Sequence, residues 1–67
     1  MINNRLSEIM GKKRIRMSEL SRLTGLSVTA IFALYHNKTK SVSFDTMNKI
    51  CNALEISIAE LFEHIPD

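Results

Sequence analysis

The chain has 67 residues, 45% of them hydrophobic, with nine Lys and Arg against seven Asp and Glu and a formal net charge of +2. That length allows one domain whose elements must all share a single core; a lone cysteine, Cys51, rules out an internal disulfide and fits a reducing compartment. The longest uncharged stretch, Leu23 to Asn37, contains Thr24, Ser27, Thr29 and His36 and is shorter than the ~20 apolar residues of a membrane span; with no secretory signal pattern at the start, a soluble cytoplasmic protein is expected.

The small net charge conceals a polarised chain. Residues 1–40 carry eight basic side chains against two acidic ones, whereas residues 41–67 carry Lys49 against five acids. A basic N-terminal part suits a polyanion such as nucleic acid, and the acidic remainder should face elsewhere. Apolar residues recur at helical spacing throughout, and the lack of sustained period-two alternation argues against a sheet, so an all-α fold of five short helices is predicted.

The first helix opens near Asn3 or Asn4, both good N-caps. It places Leu6, Ile9 and Met10 on one face and stops near Gly11, with Ile2 stapled onto its first turn. Lys12, Lys13 and Arg14 form a basic connector. A second helix covers about Met17 to Thr24 and buries Leu20 and Leu23, and Gly25 takes the left-handed conformation that ends it. Ser27 caps a third helix two residues later. Helix, glycine-containing turn and serine-capped helix make up the helix-turn-helix shape.

The third helix, roughly Ser27 to His36, turns Ile31, Leu34 and Tyr35 to the core and ends at His36 and Asn37. A polar loop, Lys38 to Ser41, follows. Ser43 opens a fourth helix with Phe44, Met47, Ile50, Cys51 and Leu54 on one apolar stripe, which makes Cys51 a core thiol. A fifth begins with Ser57 and Glu60 in capping-box spacing and buries Ile58, Leu61 and Phe62.

In a helix-turn-helix the second helix is held out from the body so that its outer face reaches base edges. At ~100° per residue, the face opposite Ile31 and Leu34 presents Thr29, Phe32, Ala33 and His36, with Val28 on its flank. Thr29 can exchange a hydrogen bond with a base, while Val28, Phe32 and Ala33 offer apolar contact suited to thymine methyl groups. No Arg, Lys, Asn or Gln stands on this face, so phosphates and DNA shape should supply much of the binding. Candidate phosphate contacts are Ser18 and Arg22 on the second helix, Ser27 and Ser43 at helix N-termini, Lys38 and Lys40 in the loop, and Arg14 and Arg16 on the flank.

The run Met17-Ser-Glu-Leu-Ser-Arg-Leu-Thr-Gly-Leu-Ser27, followed by Ile31, Leu34, the Asn37-Lys-Thr-Lys40 loop and Phe44 to Leu61, resembles the phage-repressor and Cro-like (XRE-type) helix-turn-helix family over nearly the whole chain. The resemblance implies a lambda-repressor-like five-helix bundle over residues 1–67, binding operator DNA as a homodimer. By position it carries base contacts onto Val28, Thr29, Phe32 and Ala33, and backbone contacts onto Met17, Ser27, Lys38 and Lys40. Met17 stands where many members have Gln, which leaves that phosphate to Ser18, Arg22 or backbone N–H groups. Glu55 stands where Gly is common between the last helices, which suggests a different cap.

Other functions find little support. His36 and His64 have no Cys or acid at paired metal-site spacing, and there is no glycine-rich phosphate loop or carboxylate pair in a domain too small to enclose a substrate. No enzyme activity, cofactor, metal or small-molecule ligand is expected. The rival is a protein-interaction module that uses Val28, Phe32 and Ala33 as an apolar patch. A dimer contact is expected at the C-terminal end, through Phe62 and Ile65, away from the basic half.

Overall fold

A computed structural model describes every residue from Met1 to Asp67. In chain order the elements are β1 (Ile2–Asn4), α1 (Leu6–Lys13), α2 (Met17–Thr24), α3 (Val28–Tyr35), α4 (Phe44–Leu54), α5 (Ile58–Leu61) and β2 (Phe62–His64). All five helices feed one core: Leu6 and Met10 from α1, Leu20 from α2, Ile31 and Leu34 from α3, Ile50 and Leu54 from α4, and Leu61 from α5. Each fully buried Leu or Ile contributes roughly 1.5–3 kcal/mol of transfer free energy, so loss of any one is felt across the bundle.

The helices start and stop by local chemistry. Ser27, Ser43 and Ser57 sit in extended conformation and accept from the backbone N–H groups of Ala30, Thr46 and Glu60 at 3.1, 3.1 and 3.2 Å. At Ser57 the Glu60 carboxylate also accepts from the Ser57 N–H, which completes the capping box. Each cap satisfies donors that a helix leaves free in its first turn.

At their C-terminal ends α1 to α4 all use a left-handed residue: Arg14, Gly25, Asn37 and Glu55, at φ 55°, 77°, 56° and 56°. Only one of these is glycine. At Arg14 and Glu55 the next residue, Ile15 or Ile56, donates its N–H to the carbonyl five residues back, Met10 or Cys51, and packs its side chain on the core. Those bonds and that burial offset the ~1–2 kcal/mol that an L-residue loses in this conformation. Glu55 therefore supplies the same cap geometry expected of glycine, not a different one.

Several sequence expectations are corrected. Asn3 and Asn4 belong to β1 and not to α1, which starts at Leu6, runs through Gly11 and includes Lys12 and Lys13 in its last turn. Ile2 lies exposed on the strand and is not stapled to a helix. Thr24, not Leu23, is the buried residue at the end of α2. At 3.6 residues per turn Leu23 stands about 90° from the mean direction of Met17, Leu20 and Thr24. Phe44 is 87% exposed, because it stands about 100° from the line through Ile50 and Leu54. Ile58 is half exposed and Cys51 only half-buried against the core, and burial raises the Cys51 thiol pKa.

A small antiparallel sheet joins the two chain ends, pairing Ile2 with His64, Asn3 with Glu63 and Asn4 with Phe62. Backbone bonds extend it at both ends, with Ile65 N–H to Met1 O at 2.8 Å and Arg5 N–H to Leu61 O at 2.7 Å. Glu63 accepts from the Arg5 guanidinium at 2.8 Å and from Asn3 Nδ2 at 2.9 Å. The Arg5 bond first and the Asn3 bond second hold the Glu63 carboxyl below the usual carboxylate range, and the same Glu63 bond raises the Arg5 pKa. Phe62, expected in the last helix, is in β2 and half-buried against the core. The acidic C-terminal end thus pairs with the basic N-terminal end instead of lying apart from it.

Candidate nucleic-acid interface

The turn between α2 and α3 is fixed by hydrogen bonds that do not involve solvent. Gly25 donates its N–H to Ser21 O at 2.8 Å while adopting positive φ. Buried Thr24 donates its hydroxyl to Leu20 O at 2.7 Å and accepts the Leu26 N–H at 3.2 Å, and Ser21 donates its hydroxyl to Leu26 O. With the Leu26 side chain packed on the core, the turn has little freedom. Ser21 and Thr24 therefore set the angle at which α3 leaves α2, a role the sequence reading did not assign. The visible signal is a pair of hydroxyl residues in the last turn of α2, just ahead of the Gly.

The far end of α3 is closed as firmly. Asn37 and Lys38 donate their N–H groups to Leu34 O and Ala33 O at 3.1 and 2.8 Å, the paired bonds of a Schellman motif. Asn4 Nδ2 reaches across from β1 to Leu34 O at 3.0 Å and to Asn37 Oδ1 at 2.6 Å. The sheet thus braces the C-terminal end of α3, which links two parts of the chain thirty residues apart in sequence.

Between these fixed ends α3 buries Ile31 and Leu34 and leaves its other side open. Val28 and Phe32 are 47% and 44% exposed, Thr29 and His36 are exposed, and Ala33 is half-buried. These are the five residues expected to meet bases, and they do share the outward side. The face also carries more than apolar contact. The His36 ring packs on Phe32 with centroids 4.3 Å apart and on Tyr35 at 4.9 Å, and Lys38 Nζ stands 5.7 Å from the Phe32 centroid. A cation is therefore brought onto the apolar face from beyond the end of the helix, where spacing along α3 alone did not place one.

The remaining charge points the same way. Arg5, Lys12 and Lys49 are engaged by Glu63, Glu8 and Asp45. Lys13, Arg14, Arg16, Arg22, Lys38 and Lys40 have no carboxylate within ion-pair distance, and all are exposed. The unpaired cations thus fall within residues 13–40, around the helix-turn-helix. Among the expected backbone contacts, Ser18 is exposed, Ser27 and Ser43 use their hydroxyls as caps, and Met17 packs its side chain on the core. What Met17, Ser27 and Ser43 present to a phosphate is the N-terminal turn of a helix, with its outward N–H groups and positive dipole end.

Residues 5–67 match the Cro/C1-type helix-turn-helix DNA-binding domain. The chain belongs to that family. It is similar to the uncharacterized HTH-type transcriptional regulator YozG of Bacillus subtilis strain 168, with 27% identity over 59 residues that cover 88% of this chain and 70% of YozG. Membership makes the five helices a lambda-repressor-like fold, the α2–turn–α3 unit a DNA-binding element, and the protein a DNA-binding domain and not an enzyme. No helix is long and apolar enough to cross a membrane.

Proposed function

We propose that this protein is a transcriptional regulator, acting in the cytoplasm, that inserts α3 into the major groove of operator DNA and represses by occluding polymerase. Val28, Thr29, Phe32, Ala33 and His36 face the base edges. Arg14, Arg16, Arg22, Lys38 and Lys40 hold the flanking phosphates, together with Ser18 and the helix N-terminal turns at Met17, Ser27 and Ser43. One observation carries this reading: the cations without an acidic partner fall within residues 13–40, on either side in sequence of a helix that is fixed at both ends and open on its outer side. Two copies reading an inverted repeat would double a recognition surface that one eight-residue helix keeps small.

The exposed rings and methyl groups favour thymine-rich half-sites, since a thymine methyl is the apolar feature of the major groove. The test is the salt dependence of binding to DNA flanking the protein's own gene. Each phosphate contact contributes about −0.9 to the slope of log K against log salt, so replacing Lys38 and Lys40 together by Gln should weaken binding and flatten the slope by about 1.8. An unchanged slope, or binding that ignores salt, removes the phosphate role. The apolar character of Val28 and Phe32 also supports a protein-binding role for the same face. Phe32→Ala separates the two: a loss of DNA affinity supports base reading, whereas intact DNA binding with a lost protein partner supports the interaction module.

A further inference from the structure

Of the five residues on the outward side of α3, His36 alone has a side chain whose charge changes near neutral pH. The helix itself carries no acidic or basic residue, so Val28, Thr29, Phe32 and Ala33 present the same chemistry at any pH. The His36 ring is held in place by its carbon framework. It packs on Phe32 at 4.3 Å with the planes tilted by 53°, and on Tyr35 edge-on at 4.9 Å, while its backbone N–H donates to Phe32 O at 3.0 Å. The polar edge of the ring is free. Neither ring nitrogen bonds any group of the protein, no carboxylate lies within ion-pair distance, and the residue is exposed. Both nitrogens are therefore available to a partner from outside.

The groups around this end of α3 supply cations and no anion. From the following loop, Lys38 Nζ stands 5.7 Å from the centroid of the same Phe32 ring. From the segment between α1 and α2, Arg14 and Arg16 line a groove together with Tyr35. The strand β1, which reaches this end of the helix through Asn4, brings no charge. Tyr35 is the remaining titratable neighbour, and a phenol stays neutral through the range in which an imidazole titrates. The negative end of the α3 dipole is already met, since Asn37 and Asn4 donate to Leu34 O and Lys38 donates to Ala33 O.

DNA reverses that field. The phosphates on either side of the major groove impose a negative potential, and the base edges within it add acceptors, N7 and O6 of guanine and O4 of thymine. An imidazolium donates from both ring nitrogens, whereas a neutral imidazole donates from one. The charged ring is also attracted to the aromatic rings that hold it, both within the ~6 Å over which a cation and a ring interact. We infer that DNA binding by this protein takes up a proton at His36, so that affinity rises as pH falls through the neutral range. The inference rests on the reading that α3 enters the major groove. The complex holds more protons than the separate partners, and by reciprocity the proton strengthens DNA binding by the factor by which DNA strengthens proton binding. The reading face thus carries its own response to acidification.

The test is the affinity of the full chain for duplex DNA flanking its own gene, measured at about pH 6 and about pH 8 at constant salt. Wild type should bind about three- to tenfold more tightly at the lower pH, the effect of raising one imidazole by about one unit in the complex. His36→Gln, with helical content checked by circular dichroism, should show no such difference. His64→Gln, which removes the other histidine from β2, should keep it in full. Proton NMR of the His36 ring in wild type, titrated with and without the duplex, reads the same proton directly and does not depend on the folding of any variant. The ring should titrate at higher pH in the complex. Equal wild-type affinity at both pH values, a wild-type dependence in folded His36→Gln, or a ring titration that DNA leaves unmoved overturns the coupling while DNA binding stands. Failure of wild type to bind the duplex at either pH overturns the DNA reading and the coupling with it.

Discussion

The helix-turn-helix and the sheet end obey different rules of assembly. In residues 17–38 the caps and turns are set within about five residues: the Ser27 cap, the Gly25 turn, the Thr24 and Ser21 hydroxyl bonds and the backbone bonds that close α3 at Asn37. At the sheet end the bonds join residues about sixty positions apart, as in Arg5 with Glu63 and Asn3 with Glu63. The local region sets the shape of the reading element, whereas the non-local one closes the chain and braces that element through Asn4. A domain this small needs both, because its core is shared by all five helices.

The largest expected effect tests whether the two regions are energetically one. Leu61, fully buried and adjacent to β2, should cost about 2–5 kcal/mol when changed to Ala. Chemical denaturation followed at both ends should show one cooperative transition, and separate transitions would divide the molecule. Next is Thr24→Val, which strands the Leu26 N–H and should cost about 1–3 kcal/mol, with DNA affinity falling more than stability alone explains because the α3 angle is loosened. Equal stability and affinity in this variant would show that the turn is held by other means.

A smaller effect separates the left-handed caps. Nothing lies within 4 Å of a Cβ built on Gly25, so Gly25→Ala should cost about 1 kcal/mol through backbone strain alone. Glu55→Gly should gain about 0.5 kcal/mol by relieving the same strain, less the added freedom of the unfolded chain; denaturation midpoints check both signs. The smallest effect concerns pH. Glu63 has a lowered pKa in the folded state, so its contribution is present above the ordinary carboxylate range of about 4.3 and is lost as pH falls through the folded value. Thermal melts of Glu63→Gln should therefore differ from wild type at neutral pH and converge with it in acid.

Legibility followed the same division. The bounds of α2, the glycine turn, the three serine caps and the outward set on α3 could be read because caps and helical spacing are local signals. The strands could not, since three residues are too few to show alternation and their partner is at the other end of the chain. Leu23 reads as core by apolar identity and Phe44 by its place at the head of the α4 stripe, although the helical angle puts each about a quarter turn away from the buried line. Arg14 does not read as a helix end, and Glu55 reads only as a departure from the usual Gly, because the core packing of Ile15 and Ile56 lets a non-glycine residue adopt the left-handed cap. On the reading face, Lys38 over Phe32 depends on how the chain folds back after Asn37, which spacing does not encode.

The central claim is that the outer side of α3 reads base edges. Selecting bound sequences from random double-stranded DNA, in parallel with wild type and Phe32→Ala, tests it most directly. The account predicts an enriched inverted repeat containing thymine, with the preference at one position in each half relaxed when Phe32 is removed. Enrichment of no motif by wild type, or of an identical motif by both proteins, would contradict it.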